Sequence, residues 1–193
     1  NPDQLSGLRE VGYTFSMEAQ PVSMGQLYDD EAIKPLFGYV NGSAQMRDVV
    51  PVAREVVINP NLNPDSRYAV FLAGSGNLPF DDQKEALETY VRGLRKKNLK
   101  TGTLEGVDFA MDHVSVYAQL DFNSQQRKLG RNLIVNGWAR TIDVTYVDPT
   151  FGPRLAVVGR SFEGNPLFVV DWSARFGYPR VGVVPVASPA GNR

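Results

Sequence analysis

Residues 154–172, RLAVVGRSFEGNPLFVVDW, contain two apolar runs on either side of the polar turn Glu163-Gly164-Asn165. Both runs are rich in valine and phenylalanine, which favour β-strands. A short turn with a central glycine between two such runs predicts an antiparallel hairpin, with strands at residues 154–162 and 166–172. This hairpin indicates a β-rich fold.

The clearest helix is predicted at about residues 81–97, DDQKEALETYVRGLRKK. Acidic residues begin this segment and basic residues end it, which matches the helix dipole at both ends. Its apolar residues recur at the spacing of one helical face. They are Ala86, Leu87, Tyr90, Val91 and Leu94. We expect this face to pack on the β-rich body.

Other segments are rich in β-formers or alternate apolar and polar residues, as strands do. The further predicted strands are residues 11–18, 49–58, 67–73, 107–122 and 181–186. A short helix is predicted over residues 29–33. Within residues 107–122 the apolar phase changes near Asp112-His113, which predicts a bulge or break. Asn136-Gly137 predicts a tight hairpin or a bulge.

These segments together predict an α+β, mainly β, fold. We expect an antiparallel β-sandwich or barrel-like body with one principal helix, at about residues 81–97, packed on it. A length of 193 residues fits one domain. The predicted organisation is a polar N-terminal arm at residues 1–10, a single β-rich domain at residues 11–187 and a C-terminal tail at residues 188–193.

Composition excludes several classes of function. The sequence has no cysteine and one histidine, His113, which removes most ways to build a thiol nucleophile, a zinc site or a Ser-His-Asp triad. We therefore predict no catalytic, cofactor-binding or metal-binding residues. A net charge of −1 argues against nucleic acid as a partner, and no apolar run is long enough for membrane insertion.

His113 has carboxylates nearby in sequence at Asp108, Asp112 and Asp121. A carboxylate–histidine pair can perform acid–base chemistry. A single histidine at an irregularity in a strand is more often a structural hydrogen-bonding residue, and we favour that interpretation.

Three other motifs fall short of the patterns that they resemble. The Gly-rich residues 73–77 lack the remaining residues of a phosphate-binding loop. Residues 59–65 lack the glycine and glutamate of a calcium loop. The basic residues 92–100 and 125–131 are explained by a helix end and a solvated loop. We predict structural roles for all of them.

Residues 171–178, DWSARFGY, follow a strand and combine aromatic and charged side chains. Tryptophan, tyrosine and arginine are enriched at interface hot spots. The candidate interface residues are Trp172, Arg175, Phe176 and Tyr178. A buried corner that closes the fold is an equally good interpretation.

These observations favour a non-enzymatic structural or assembly subunit with protein partners, through self-association or within a larger complex. Candidate assemblies are a virion part, such as a tail-tube, capsid or decoration protein, or a secretion or surface complex. The expected location is a virion or outside the cytoplasm. A monomeric extracytoplasmic binding module is the alternative, and a hydrolase that uses Asp and Glu is the second alternative.

Overall fold

The structure is a computed structural model that describes residues 2–98 and 102–189. The helices are α1 Pro2–Glu10, α2 Met24–Asp29, α3 Ala44–Arg47, α4 Phe80–Lys97 and α5 Val114–Asn123. The strands are β1 Phe15–Ala19, β2 Phe37–Val40, β3 Arg54–Ile58, β4 Asp108–Ala110, β5 Gly137–Asp148, β6 Gly152–Arg160, β7 Leu167–Ser173, β8 Val181–Gly182 and β9 Val186–Ser188. Short helical turns occupy Lys34–Leu36 and Ser124–Lys128.

The strands form two sheets, which confirms the predicted α+β, mainly β, fold. One sheet has the order β1-β3-β9-β4, and all its pairs are antiparallel. The other has the order β2-β7-β6-β5-β8, with parallel pairs at its two edges. The predicted hairpin is its centre, because β6 and β7 pair antiparallel across a turn at Gly164, whose φ is +79°.

α5 lies between the two sheets. It contacts β1 of the first sheet and both β5 and β6 of the second. Nine consecutive residues of this helix, from Val114 to Phe122, are buried. Its side chains join those of both sheets in one hydrophobic cluster, here called the inner core.

α4 packs on the opposite face of the β1-β3-β9-β4 sheet and confirms the principal predicted helix. Leu87, Val91 and Leu94 are buried in a second cluster, here called the outer core. Val57 of β3 and Phe109 of β4 supply the sheet side of this cluster. The predicted apolar face of the helix is therefore the face that is buried.

Residues 2–10, within the predicted polar N-terminal arm, form the helix α1. Leu8 is fully buried in the outer core, and the Gln4 side chain donates a hydrogen bond of 2.7 Å to the Glu105 carbonyl. The close approach of Thr103 leaves no room for a Cβ at Gly7. These contacts hold the helix on the body. Of the predicted C-terminal tail, Ser188 ends β9, and residues 190–193 lie outside the described residues, as does residue 1.

The strand predicted at residues 107–122 is wrong beyond β4. The change of apolar phase near residues 112–113 is the transition from β4 into α5, and His113 is the extended N-cap of that helix. A helix that is buried on all sides needs no polar face. The sequence of α5 therefore lacks the alternation of apolar and polar residues, with a period of 3.6, that predicts a surface helix.

The strand predicted at residues 67–73 is also wrong, because these residues form turns. Val70 and Phe71 are neighbours and are both buried, whereas successive residues of a strand point to opposite faces. A hydrogen bond of 2.9 Å from the Phe71 N–H to the Tyr68 carbonyl closes one turn.

Other predicted elements differ in extent. The strand predicted at residues 11–18 is β1, which begins at Phe15 and ends at Ala19, and the strand predicted at residues 49–58 shrinks to β3. The helix predicted at residues 29–33 lies earlier in the chain, as α2, which ends at Asp29. Residues 181–186 form β8 and the start of β9, which lie in different sheets. Asn136 adopts a positive φ of 62° and leads into β5, so Asn136-Gly137 is a bend before a strand and joins no hairpin.

Candidate functional site

Two exposed aromatic rings meet beside the turn between β5 and β6. The ring centroids of Phe151 and Phe176 are 6.0 Å apart, and these residues are 46% and 52% exposed. Arg175 reaches from one loop to the other and donates to the Thr150 carbonyl at 3.4 Å. We call Phe151, Arg175, Phe176 and the half-exposed Tyr178 the aromatic patch. It combines both residue classes that dominate interface hot spots.

The Phe151 side of the patch is fixed by a side-chain turn. One oxygen of Asp148 accepts hydrogen bonds of 2.8 Å from the backbone N–H groups of both Thr150 and Phe151. These bonds hold the pKa of Asp148 below its ordinary value. Gly152 follows with a φ of +75°, a conformation that glycine adopts without strain.

The Phe176 side is tied down by the fully buried Arg140 of β5. Its guanidinium donates to the carbonyls of Ser173 at 3.2 Å and Phe176 at 3.3 Å, and to the Gln83 side chain at 3.1 Å. Burial lowers the pKa of Arg140 to about 10, so the side chain is still charged at neutral pH. A buried charge is held only where hydrogen bonds replace its water. The loop carbonyls supply these bonds.

The segment before α4 supports the same loop. The Phe80 N–H donates to the Ala174 carbonyl at 2.8 Å, and the Asn77 N–H donates to the Tyr178 carbonyl at 3.2 Å. A Cβ at Gly177 would lie 1.7 Å from the Asn77 carbonyl oxygen, so only glycine fits at that position. The loop that carries Phe176 is therefore hydrogen-bonded on both sides.

The predicted interface residues separate into two groups. Arg175, Phe176 and Tyr178 are exposed in the patch. Trp172 is half-buried in β7, and its ring centroid lies 4.8 Å from that of Tyr178. The Trp172 indole nitrogen is buried and has no hydrogen-bond partner in the described residues. The structure thus gives Trp172 a supporting position and adds Phe151, which sequence analysis did not single out.

Ser75, in the Gly-rich residues 73–77, forms hydrogen bonds with backbone groups, which is a structural role. Its hydroxyl donates to the Leu72 carbonyl at 2.7 Å and accepts from the Val183 N–H at 3.0 Å. Gln83 of α4 donates to the Ser75 carbonyl and the Val181 carbonyl, each at 2.9 Å. These bonds connect the start of α4 to β8.

The carboxylate that bonds His113 is Asp143 of β5. The His113 Nδ1 lies 2.6 Å from one carboxylate oxygen, and the Val114 N–H donates to the other at 2.6 Å. Asp143 is buried, whereas about a quarter of the His113 side chain is exposed. The hydrogen bond to Asp143 raises the pKa of His113 above its ordinary value of 6.5, although burial opposes the rise. Asp143 therefore anchors the first turn of α5, a structural role.

The three carboxylates expected near His113 do not converge on its ring. Asp112 accepts from the His113 N–H at 2.8 Å and pairs with Arg54. Asp121 lies near the other end of α5 and pairs with Arg160 of β6. Asp108 lies in β4, where its side chain borders a groove beside α4.

The remaining motifs also have structural explanations. Asn59 accepts a hydrogen bond of 2.9 Å from the Asn61 N–H, which makes a turn of the segment that resembled a calcium loop. Arg131 donates to the Asn61 side chain at 2.8 Å. Among residues 2–98 and 102–189, no group of three His, Cys, Asp or Glu side chains has the arrangement of a metal site. Residues 99 and 100 of the basic stretch lie outside the described residues.

Comparisons with family models, with curated proteins and with solved structures find no match to this chain. No helix in the described part of the chain is both long enough and apolar enough to cross a bilayer.

Proposed function

We propose that this chain is a non-enzymatic subunit of a protein assembly and that the aromatic patch is the surface through which copies of it associate. The observation that carries the proposal is the contact between the exposed rings of Phe151 and Phe176 on two hydrogen-bonded loops. Exposed aromatic clusters on soluble proteins mark interaction surfaces. Loops that are already ordered lose little conformational entropy on binding.

The patch residues suit a self-complementary contact. In a two-fold contact each residue faces its counterpart or a neighbour of its counterpart across the axis. Arginine stacks on aromatic faces, so Arg175 of one copy can lie over an aromatic ring of the next. Asp148, at the base of the Phe151 turn, offers a carboxylate to the same guanidinium.

The test is the native mass of the protein, measured by light scattering after size exclusion over a wide range of concentration. We expect the wild type to form a defined multimer and the double variant Phe151→Ser/Phe176→Ser to run as a single chain with an unchanged circular dichroism spectrum. A wild type that is monomeric at every concentration overturns the proposal and favours the monomeric binding module.

Phe162 provides the matched control. It is 65% exposed and lies in the turn at the other end of β6. The nine residues of β6, at about 3.3 Å each, place that turn about 30 Å from Phe151. Phe162→Ser removes the same side chain from the surface, and we expect it to leave the mass unchanged. If Phe162→Ser dissociates the multimer as fully as the double variant, the patch is not the specific contact.

The finer hypotheses stay predictions. A virion part such as a tail-tube, capsid or decoration protein predicts growth of the multimer into a tube or shell, and a secretion or surface subunit predicts a closed ring. The Asp/Glu-dependent hydrolase predicts two carboxylates facing each other in a cleft, one with a raised pKa. The buried Asp112, Asp121 and Asp143 each bond a basic side chain. Burial raises the pKa of Asp121, but its carboxylate bonds Arg160 and the backbone N–H groups of Leu133 and Ile134 and not a second carboxylate, which supports the non-enzymatic proposal.

A further inference from the structure

A groove of about 490 Å³ runs between α4 and the edge strand β4. This volume lies within the range of small-molecule sites, roughly 300–1,000 Å³. The groove shares no residue with the aromatic patch, so a ligand bound in it would leave the surface proposed for self-association free.

The groove is long and narrow. Its helix side is formed by residues from Phe80 to Arg95 at successive turns of α4. Phe80 and Arg95 are fifteen residues apart, which is a rise of about 22 Å along a helix, so the groove follows most of the length of α4. This shape fits an extended chain better than a compact ring system.

The floor of the groove is apolar. Leu87 and Val91 of α4 face Phe109 and Met111 across it, and all four side chains belong to the outer core. Phe80 and the exposed Ile142 lie at the border. The four floor side chains are 5–9% exposed, so contact with an apolar chain would remove from water mainly the surface of Ile142 and the small part of the floor that is still accessible.

Two arginines lie at the end of the groove formed by the last turns of α4, and Asp108 lies at the same end, because it directly follows Val107, whose carbonyl accepts from Arg95. Arg92 and Arg95 are exposed there, and both bond neutral acceptors: Arg92 the Thr89 hydroxyl at 2.9 Å, Arg95 the Val107 carbonyl at 3.1 Å. Lys84, near the other end, is already paired with Asp81 at 2.6 Å. Glu88 and Asp108 also border the groove. The two guanidinium groups, one helical turn apart, are suited to bind a carboxylate.

From the shape, the apolar floor and this charge we infer that the groove binds an elongated amphiphile, with its apolar chain on the outer core and its carboxylate between Arg92 and Arg95. A lipid-derived carboxylate is the chemistry that meets all three features.

The experiment is calorimetric titration of the full chain with dodecanoate below its micelle concentration, alongside dodecanol and dodecyltrimethylammonium. We expect saturable binding of one dodecanoate per chain. The uncharged dodecanol and the cationic dodecyltrimethylammonium should bind more weakly by about tenfold or more, because neither can form the charge-assisted contact with the arginines. Equal binding of all three probes, or no saturable binding of dodecanoate, overturns the inference.

The variants locate the site. The double variant Arg92→Gln/Arg95→Gln should weaken the binding of dodecanoate by about tenfold or more. The control Lys96→Gln/Lys97→Gln makes the same change of charge on the same exposed helix end and should leave the affinity for dodecanoate unchanged. Ile142→Glu places a carboxylate at the border and should weaken dodecanoate without lowering the melting temperature. Equal losses for the two double variants would show that net charge alone attracts the probe and would overturn the inference. Displacement of dodecanoate by an acidic apolar peptide, with the peptide bound more tightly, would assign the groove to a protein partner instead.

Discussion

The buried ion pair between Asp121 and Arg160 offers the sharpest test of how the inner core is held. Asp121 is fully buried in α5 and Arg160 is 4% exposed at the end of β6. One carboxylate oxygen accepts from the backbone N–H groups of Leu133 and Ile134 at 2.8 and 3.0 Å, and the other binds Arg160. A single side chain thus joins the central helix, a sheet and the loop before β5.

The perturbation is Asp121→Asn, which removes the charge and keeps the shape. The asparagine oxygen can still accept from Leu133 and Ile134, so the loop bonds survive. Arg160 is then left with the Asn165 carbonyl at 2.7 Å, and the nearest remaining negative charge is that of the exposed Glu163. Removing one partner of a buried ion pair costs about 3–5 kcal/mol, because the other charge stays buried and uncompensated. That is a large part of the stability of a typical domain, about 5–15 kcal/mol.

The assay is urea unfolding followed by tryptophan fluorescence, with linear extrapolation to water. Asp171→Asn is the matched control, since Asp171 pairs with Arg154 where both side chains are partly exposed, at 22% and 28%. We expect that control to cost about 1 kcal/mol or less. The double variant Asp121→Asn/Arg160→Met should recover much of the loss, because it also removes the buried guanidinium charge that Asp121→Asn leaves uncompensated.

Two results would refute this reasoning. If Asp121→Asn costs no more than Asp171→Asn, burial does not control the energy of these pairs. If the double variant is as unstable as Asp121→Asn alone, the unpaired Arg160 charge is not the source of the loss.

The outer core and His113 each give a further prediction. Leu87→Ala should cost about 2–5 kcal/mol in urea unfolding, because Leu87 is 6% exposed in the outer core, whereas the exposed Glu88→Ala should change stability by less than about 0.5 kcal/mol; equal losses would contradict the packing of this face. The His113 imidazole, the only one in the sequence, should titrate by NMR above 6.5, since its bond to Asp143 raises its pKa. A raised folded-state pKa gives stability that is complete below pH 6.5 and is lost as pH rises through the folded pKa, so the stability difference between wild type and His113→Gln should shrink across that interval; a constant difference would contradict this linkage.

Local signals were sufficient where chemistry and periodicity agreed along one segment. α4 was predicted within one residue, because its apolar face, its acidic start and its basic end all give the same boundaries. The hairpin of β6 and β7 was predicted from its turn glycine and its two apolar runs.

α5 could not be predicted in the same way. Ser115, Gln119 and Asp121 alternate with apolar residues as in a strand, yet all three are buried. Gln119 accepts from the Gln20 N–H at 2.8 Å, and Asp121 accepts from the loop before β5, so each of these two polar residues has a partner inside the protein. The sequence alone does not reveal partners that the fold brings together from distant segments.

Only part of the candidate site could be predicted from the sequence, for the same reason. Residues 171–178 stood out by composition, but Phe151 joins Phe176 only because β5, β6 and β7 bring their turns together. Asp143 likewise reaches His113 from a strand that begins after α5 has ended. Arg140 carried no signal, because nothing local shows that an arginine in a strand is buried.

The place of β9 bears on how the protein is made. β9 is the last strand of the described chain, yet it lies between β3 and β4, and its Ala187 is in register with both Val57 and Phe109. A nascent chain that has emerged as far as residue 182 has every strand of the five-stranded sheet, while β3 and β4 still lack the strand that joins them. Unpaired strand edges and exposed apolar surface make such intermediates prone to aggregation. A ribosome paused at this point therefore displays a half-built sheet, which is the kind of surface that chaperones shield until residues 186–188 emerge.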